Sequence, residues 1–206
     1  MPYPDRFYPV VDSLAWVARL TTLGVGTIQL RAKKLGEHLD HADALHIVRE
    51  ALALTRGTPT RLVVNDYWRA AIEAGAQHLH LGQEDLADAD LAAIRAAGLS
   101  LGLSTHDDEE LATALRAKPD YIALGPIFPT TLKSMRFAPQ GIAKIGEWKK
   151  RVGAIPLVAI GGIKLEQAAE IYAAGADSIA VVSDLTQNAD PDARVRAWLA
   201  LKAEAA

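Results

Sequence analysis

Gln29, Arg31 and Lys33 alternate along the chain with Ile28, Leu30 and Ala32. Side chains of an extended segment alternate between its two faces, so the three polar residues share one face and the three apolar residues the other. The apolar set suits contact with helices, which turns the polar set inward. Inward cations are costly unless paired or solvated. Two of them on one stripe fit a bound anion better than a frayed strand end, which accounts more readily for a single lysine. Two further apolar runs end in Asn65-Asp66 and in Gly82-Gln83-Glu84-Asp85. Neighbouring strands lie about 4.8 Å apart, so Asp66 and Asp85 can share one ion at a sheet rim. Mg²⁺ characteristically takes one or two carboxylates, several waters and substrate phosphate oxygens. Cations beside a carboxylate pair therefore match a diphosphate–Mg²⁺ complex. The alternative is a simple turn at Asn65-Asp66 and a helix cap at Asp85.

Other polar groups stand at comparable places. His78 and His80 share a strand face without an evident third ligand, which favours satisfied structural histidines over a metal site. Ser104 and Thr105 end another run, one hydroxyl suited to a pocket and the other to a helix cap. The loop from Gly125 to Gly141 is longer than an ordinary strand-to-helix connection. Long loops at such positions often act as lids, and Thr130 and Lys133 are placed to reach a phosphate. Gly161-Gly162 lets backbone approach a ligand closely, and Val182-Ser183 ends the last apolar run. No Ser-His-Asp arrangement and no clear general base is evident. The chemistry indicated is ionisation of a diphosphate leaving group by electrostatics and positioning.

These residues need a scaffold that brings strand ends together. Eight strands are expected at Phe7–Val11, Thr27–Ala32, Arg61–Asp66, His78–Gly82, Ser100–Thr105, Tyr121–Pro126, Pro156–Gly162 and Ser178–Ser183. Apolar residues at three- and four-residue spacing predict helices over Ser13–Leu23, Glu37–Thr55, Tyr67–Ala74, Leu86–Ala97, Asp107–Ala117, Gly141–Val152, Leu165–Ala174 and Pro191–Leu201. Asp190 before Pro191 reads as an N-cap. The acidic run from Asp107 to Glu110 suits a helix start, and Gly75, Gly98 and Gly175 suit helix ends. A weak repeat runs from Ala74 to Leu81, from Ala174 to Val181 and, more loosely, from Lys118 to Leu124. Alternating strands and helices imply parallel strands with right-handed crossovers. Eight such units predict an α/β fold, a single (β/α)8 TIM barrel over residues 1–206 whose strand C-termini carry the site. An open doubly wound sheet is the competing topology. It usually has a glycine-rich turn after the first strand, where this chain has Asp12-Ser13-Leu14-Ala15. In a barrel, the loops after strands seven and eight commonly bind phosphate through backbone N–H groups, which gives Gly162 and Ser183 a role.

The formal net charge is −3, and the chain contains no cysteine. Nothing in the balance argues for nucleic acid or a membrane surface. Disulfides and thiolate catalysis are excluded. The first six residues lack a basic segment leading into an apolar run, so a signal peptide is not expected. No apolar stretch nears the roughly 20 residues of a bilayer span. A cytoplasmic protein is the expectation.

Taken in order, Gln29-Leu30-Arg31-Ala32-Lys33, Val64-Asn65-Asp66, His80 to Asp85, Gly125 to Thr130, Ala159 to Ile163 and Val181-Val182-Ser183 resemble the thiamine-phosphate synthase (thiamine-phosphate pyrophosphorylase) family over nearly the whole chain. Each segment alone is weak, and together they are specific. The resemblance implies an enzyme of thiamine biosynthesis that joins 4-amino-2-methyl-5-(diphosphooxymethyl)pyrimidine to a thiazole phosphate. The products are thiamine phosphate and diphosphate. It implies Mg²⁺ as cofactor, held by Asp66 and Asp85. It implies that Gln29, Leu30, Arg31, Ala32, Lys33, Asn65, Ser104 and Lys133 contact the pyrimidine diphosphate, with Arg31, Lys33, Ser104 and Lys133 serving catalysis. Thr130, Thr131, Leu132, Gly162, Val182 and Ser183 would contact the thiazole phosphate. The family reaction is dissociative: diphosphate leaves, and the thiazole nitrogen captures a pyrimidine-methyl cation. The family loop usually reads Pro-Thr-x-Thr-Lys, and here Leu132 takes the place of the second Thr. A thiazole tautomerase-like paralogue, a non-catalytic phosphate-ligand sensor and another phosphate-binding barrel enzyme are the competing readings. Retention of Arg31, Lys33, Asp66, Asp85 and Lys133 argues against the first. The partners expected are small phosphorylated substrates, with a homodimer possible at the level of the fold.

Overall fold

The structure, a computed structural model, describes residues 3–33, 38–130 and 137–203. Eight parallel strands close into a barrel in sequence order, with β1 paired to β8. They are β1 (Phe7–Val11), β2 (Thr27–Leu30), β3 (Arg61–Asn65), β4 (His78–Leu81), β5 (Ser100–Thr105), β6 (Tyr121–Leu124), β7 (Leu157–Ile160) and β8 (Ser178–Val181). The helices are α1 (Leu14–Thr22), α2 (His41–Thr55), α3 (Trp68–Ala74), α4 (Gln83–Ala87), α5 (Leu91–Ala96), α6 (Asp108–Arg116), α7 (Gly141–Val152), α8 (Ala168–Ala173, preceded by a 3₁₀ turn Leu165–Gln167), α9 (Ser183–Thr186) and α10 (Pro191–Ala203). The closed ring decides against the open sheet.

The pleat sorts the apolar residues into two cores. Ile28, Leu30, Leu62, Val64, Leu79, Leu81 and their equivalents face outward and pack against the helices, together with Val17, Ile94, Trp148 and Trp198. Tyr8, Val10, Val63, Tyr121, Ala123, Val158 and Ala180 fill the barrel interior, a packed layer rather than a pore. The interior also takes up polar groups: Gln29 and His80 are 5% and 6% exposed.

Local signals set most element ends. Asp107 accepts from the Glu110 N–H and Asp190 from the Ala193 N–H, so both cap as expected. Two helices differ from the sequence reading. The helix expected over Glu37–Thr55 starts at His41, because Asp40 turns extended and accepts from the Asp43 N–H at 2.8 Å. The helix expected over Leu86–Ala97 is two helices, because Asp90 caps a second start by accepting from the Ala93 N–H. The first of these begins at Gln83, which lifts Asp85 from a loop into the first turn of α4. Several strands are shorter than expected. Arg31, Ala32 and Lys33 lie beyond β2, although the Arg31 N–H still bonds the Val11 carbonyl at 2.8 Å. Ser183 opens α9, a short helix the periodicity did not reveal.

Candidate active site

The C-terminal ends of β2, β3 and β4 assemble a cationic and acidic corner. Asp66, just beyond β3, has φ +66, a left-handed conformation uncommon outside glycine but tolerated by Asp. Its residue neighbours close two tight turns, Tyr67 N–H to Asn65 carbonyl and Trp68 N–H to Asp66 carbonyl, both 2.8 Å. The Asp66 N–H is tied to the His80 carbonyl on the next strand at 2.9 Å. These bonds hold the strained residue where its carboxylate meets Asp85 from α4. Carboxylate oxygens of Asp66 and Asp85 and a ring nitrogen of His38 all lie within 4.8 Å of one another. Burial, and next the charge of Asp85, push the Asp66 carboxyl up to about 7, while Arg31 and the Asn65 side chain pull the other way. Two half-buried carboxylates this close repel each other, and a shared proton or a cation relieves that repulsion.

Tyr67 frames this corner. Its hydroxyl donates to the Ala32 carbonyl at 2.9 Å and accepts from the Leu39 N–H at 3.0 Å. It thus pins both described ends of the loop that carries Lys33 and His38, and the His38 ring meets the Tyr67 ring edge-on. Neither His38 nor Tyr67 stood out in the sequence. Contacts across 35 and 28 residues leave no local periodicity.

Ser104 ends β5 on the same side. His80 Nε2 bonds its Oγ at 2.8 Å, and Gln83 Nε2 donates to its carbonyl at 2.6 Å. His80 Nδ1 bonds the Tyr121 hydroxyl at 2.9 Å, the Tyr121 and Tyr8 hydroxyls bond at 2.8 Å, and Gln29 Nε2 donates to Tyr8 at 2.7 Å. His80 is therefore a satisfied interior histidine, as expected. Burial pushes its pKa down to about 4, with Arg31 acting in the same direction, so the ring is neutral near pH 7. His78 lies on the same face, stacked on Tyr3, but departs from the expectation: its Nδ1 is buried without a hydrogen-bond partner among the described residues.

The ends of β6, β7 and β8 form the second half of the mouth. Gly162 has φ +67, and a Cβ there would fall against the Pro129 carbonyl oxygen and Phe128. With the Phe128 N–H bonded to the Gly161 carbonyl at 3.0 Å, this close approach seats the chain leading to Thr130 directly on the glycine pair. Val182 leans on the barrel-interior cluster, and Ser183 follows at the start of α9. Arg194 of α10 holds the loops after β7 and β8 together. It gives two bonds to the Glu166 carboxylate, at 2.7 and 2.8 Å, and two to Asp184, also at 2.7 and 2.8 Å. Trp198 Nε1 adds a third donor to Asp184 at 2.8 Å. Arg194, Glu166 and Asp184, with Lys164 and Ser183, line a hollow of about 570 Å³. Sequence reasoning missed this clamp as well.

The predicted residues thus fall into two groups. Gln29, Arg31, Lys33, Asn65, Asp66, Asp85 and Ser104 belong to strands β2 to β5 or to the residues just beyond them, and Thr130, Gly162, Val182 and Ser183 to β6 to β8. The Leu30 and Ala32 side chains are buried in the outer core against the helices, so the pleat leaves them only backbone to offer a ligand. Thr131, Leu132 and Lys133 lie outside the described residues.

The profile of the family described as Thiamine monophosphate synthase matches residues 7–185. The chain is 55% identical over 199 residues to a thiamine-phosphate synthase of Rhizobium etli, covering 97% of this chain and 96% of the relative. It is 53% identical over 190 residues to that of Salmonella enteritidis, covering 92% and 88%. A solved thiamine phosphate pyrophosphorylase from Pyrococcus furiosus superposes with a TM-score of 0.82 at 26% identity, covering 97% of this chain and 96% of its own. The 3-hexulose-6-phosphate synthase of Salmonella typhimurium, at 14% identity and a TM-score of 0.72, shares the fold alone. A barrel with this mouth and these relatives belongs to the thiamine monophosphate synthase family, and is an enzyme of that type.

Proposed function

We propose that this enzyme joins 4-amino-2-methyl-5-(diphosphooxymethyl)pyrimidine to a thiazole phosphate, releasing diphosphate and forming thiamine phosphate. The observation that carries this reading is the close group of Asp66, Asp85 and His38 beside Arg31, across the mouth from the Gly161-Gly162 turn. Asp66 and Asp85 fit a Mg²⁺ ion, because their mutual repulsion in a half-buried place is relieved by a cation. When bound, the ion neutralises charge on the diphosphate leaving group. Arg31 and Lys33, with Lys133, bind that diphosphate and take up the charge it develops. Gln29, Asn65 and Ser104 orient the pyrimidine diphosphate, and Leu30 and Ala32 contribute backbone. Thr130, Thr131, Leu132, Gly162, Val182 and Ser183 hold the thiazole phosphate, largely through backbone groups.

Departure of diphosphate leaves a pyrimidine-methyl cation, which the thiazole nitrogen captures. This dissociative course needs no strong general base, and it accords with the neutral His80. One barrel domain over residues 1–206, working in the cytoplasm and pairing as a homodimer, completes the reading. Incubation of the folded protein with both substrates and Mg²⁺ should yield thiamine phosphate and diphosphate. Product no greater than in an enzyme-free control would refute the proposal.

A further inference from the structure

Five polar groups cross the barrel interior in one unbroken line: Gln29 Nε2 to Tyr8 Oη, Tyr8 Oη to Tyr121 Oη, Tyr121 Oη to His80 Nδ1, and His80 Nε2 to Ser104 Oγ. The four contacts measure 2.7, 2.8, 2.9 and 2.8 Å. Tyr8 and Tyr121 are 1% and 0% exposed, so bulk solvent does not reach their hydroxyls. The line is built into the packing. The Tyr121 ring occupies the space a Cβ at residue 102 would need, which only Gly102 leaves open. The ring then stacks on His80 and meets Tyr8 edge-on. Both ends of the line are groups assigned above to the pyrimidine diphosphate.

Such a line has a direction. A phenol has one proton to donate, and a neutral imidazole has one donor and one acceptor nitrogen. Tyr8 accepts from the Gln29 amide, and no buried phenol proton of the line is left unpaired when its own goes to Tyr121. Tyr121, having accepted, gives its proton to His80 Nδ1. The imidazole proton therefore sits on Nε2 and is donated to Ser104 Oγ. Among the described residues no other side chain bonds Ser104 Oγ, so its own proton is left for a ligand.

We infer that the buried line from Gln29 through Tyr8, Tyr121 and His80 fixes Ser104 as a hydrogen-bond donor to the pyrimidine diphosphate. This rests on the proposed assignment of Ser104 to that substrate. Tyr8, Tyr121 and His80 are then positioning residues. Ser104 offers its proton to an acceptor atom, a phosphate oxygen or a ring nitrogen. Buried hydrogen-bond lines of this kind act as a unit, since each group polarises the next.

Nitrogen NMR on protein labelled in its histidines reads the direction, with the His80 signals assigned by their loss in His80→Gln. The inference requires a neutral ring with its proton on Nε2. A proton on Nδ1 would reverse the line and overturn it. Kinetics supply the second reading. Tyr121→Phe keeps the ring and removes one link, and should raise KM for the pyrimidine diphosphate about five- to tenfold while leaving KM for the thiazole phosphate unchanged. In a Ser104→Ala background the same change should have no further effect, because its influence runs through Ser104. Equal losses for both substrates, or additive losses in the double variant, would assign Tyr121 a merely structural part and overturn the inference. Tyr8→Phe, one link further from Ser104, carries the same cycle should Tyr121→Phe fail to fold. If Ser104→Ala leaves the pyrimidine diphosphate KM untouched, the assignment of Ser104 fails, and the inference with it. The nitrogen spectrum still shows separately whether the line runs as drawn.

Discussion

Replacing Tyr67 by Phe removes one oxygen and keeps the ring. That oxygen makes two hydrogen bonds, to the Ala32 carbonyl at 2.9 Å and from the Leu39 N–H at 3.0 Å. Each neutral bond contributes about 0.5–1.5 kcal/mol net. Tyr67 is half-buried, so water replaces part of what is lost, and about 1–2 kcal/mol is the expected sum. This loss falls on the anchoring of the loop that bears Lys33 and His38, not on the barrel. If Lys33 and His38 serve the diphosphate and its ion, the cost appears in their binding. At 1.4 kcal/mol per factor of ten, KM for the pyrimidine diphosphate should rise about five- to thirtyfold. The midpoint of Mg²⁺ activation should rise with it. KM for the thiazole phosphate should hold, because Gly162 and Ser183 sit on the opposite half of the mouth. Steady-state kinetics with each substrate varied in turn, at several Mg²⁺ concentrations, measures all three. A Tyr67→Phe enzyme with unchanged diphosphate KM and Mg²⁺ midpoint would refute the loop-anchoring argument. Equal weakening of both substrates would refute the division of the mouth.

Two further predictions concern parts of the frame. Burial holds the His80 pKa near 4, below its ordinary 6.5. Between these values the unfolded chain binds more protons than the folded one, so stability falls as pH drops through that window. From pH 7 to pH 5 His80 alone should cost about 2 kcal/mol, and thermal melts of His80→Gln should lose that part of the pH dependence; an unchanged dependence would contradict it. Arg194→Met frees the loops after β7 and β8 from each other by removing the fork to Glu166 and Asp184. KM for the thiazole phosphate should rise about tenfold, the value of one charge-assisted bond, and Arg194→Lys should recover it only in part, because an ammonium cannot fork to two carboxylates. An increase confined to the pyrimidine diphosphate would show that the clamp serves the other site.

The barrel was largely legible in the sequence because its signals are local. Strand alternation turns Gln29 into the barrel and Ile28 and Leu30 toward the helices, and the pleat of β2 obeys it, while Arg31 and Lys33 follow beyond the strand end. Asp107, Asp190 and Gly75 mark helix ends by chemistry that acts within four residues. Asp90 carries the same kind of cap signal, and reading it would have divided the helix expected over Leu86–Ala97. The supports of the site were not legible. Tyr67 reaches across 28 and 35 residues of chain, Tyr121 across 41 and 113, and Arg194 across 28 to Glu166, where only closure of the barrel sets the neighbours. His38 joins Asp66 and Asp85 by a loop whose path no periodicity encodes. The left-handed turn at Asp66 was likewise hidden, since Asn-Asp marks a turn without fixing its hand. Long-range contacts thus decide how well the predicted residues are held, while short-range pattern decides which residues stand at the mouth.

Asp66 is the residue on which the two-part mouth depends most directly. Calorimetry of Asp66→Ala, titrated with Mg²⁺ plus diphosphate and separately with thiazole phosphate, tests that division without requiring turnover. Binding of Mg²⁺ with diphosphate should be lost, and binding of thiazole phosphate alone should match that of the unaltered enzyme. Equal loss of both ligands in a folded variant, or retention of Mg²⁺-dependent diphosphate binding, would contradict the account.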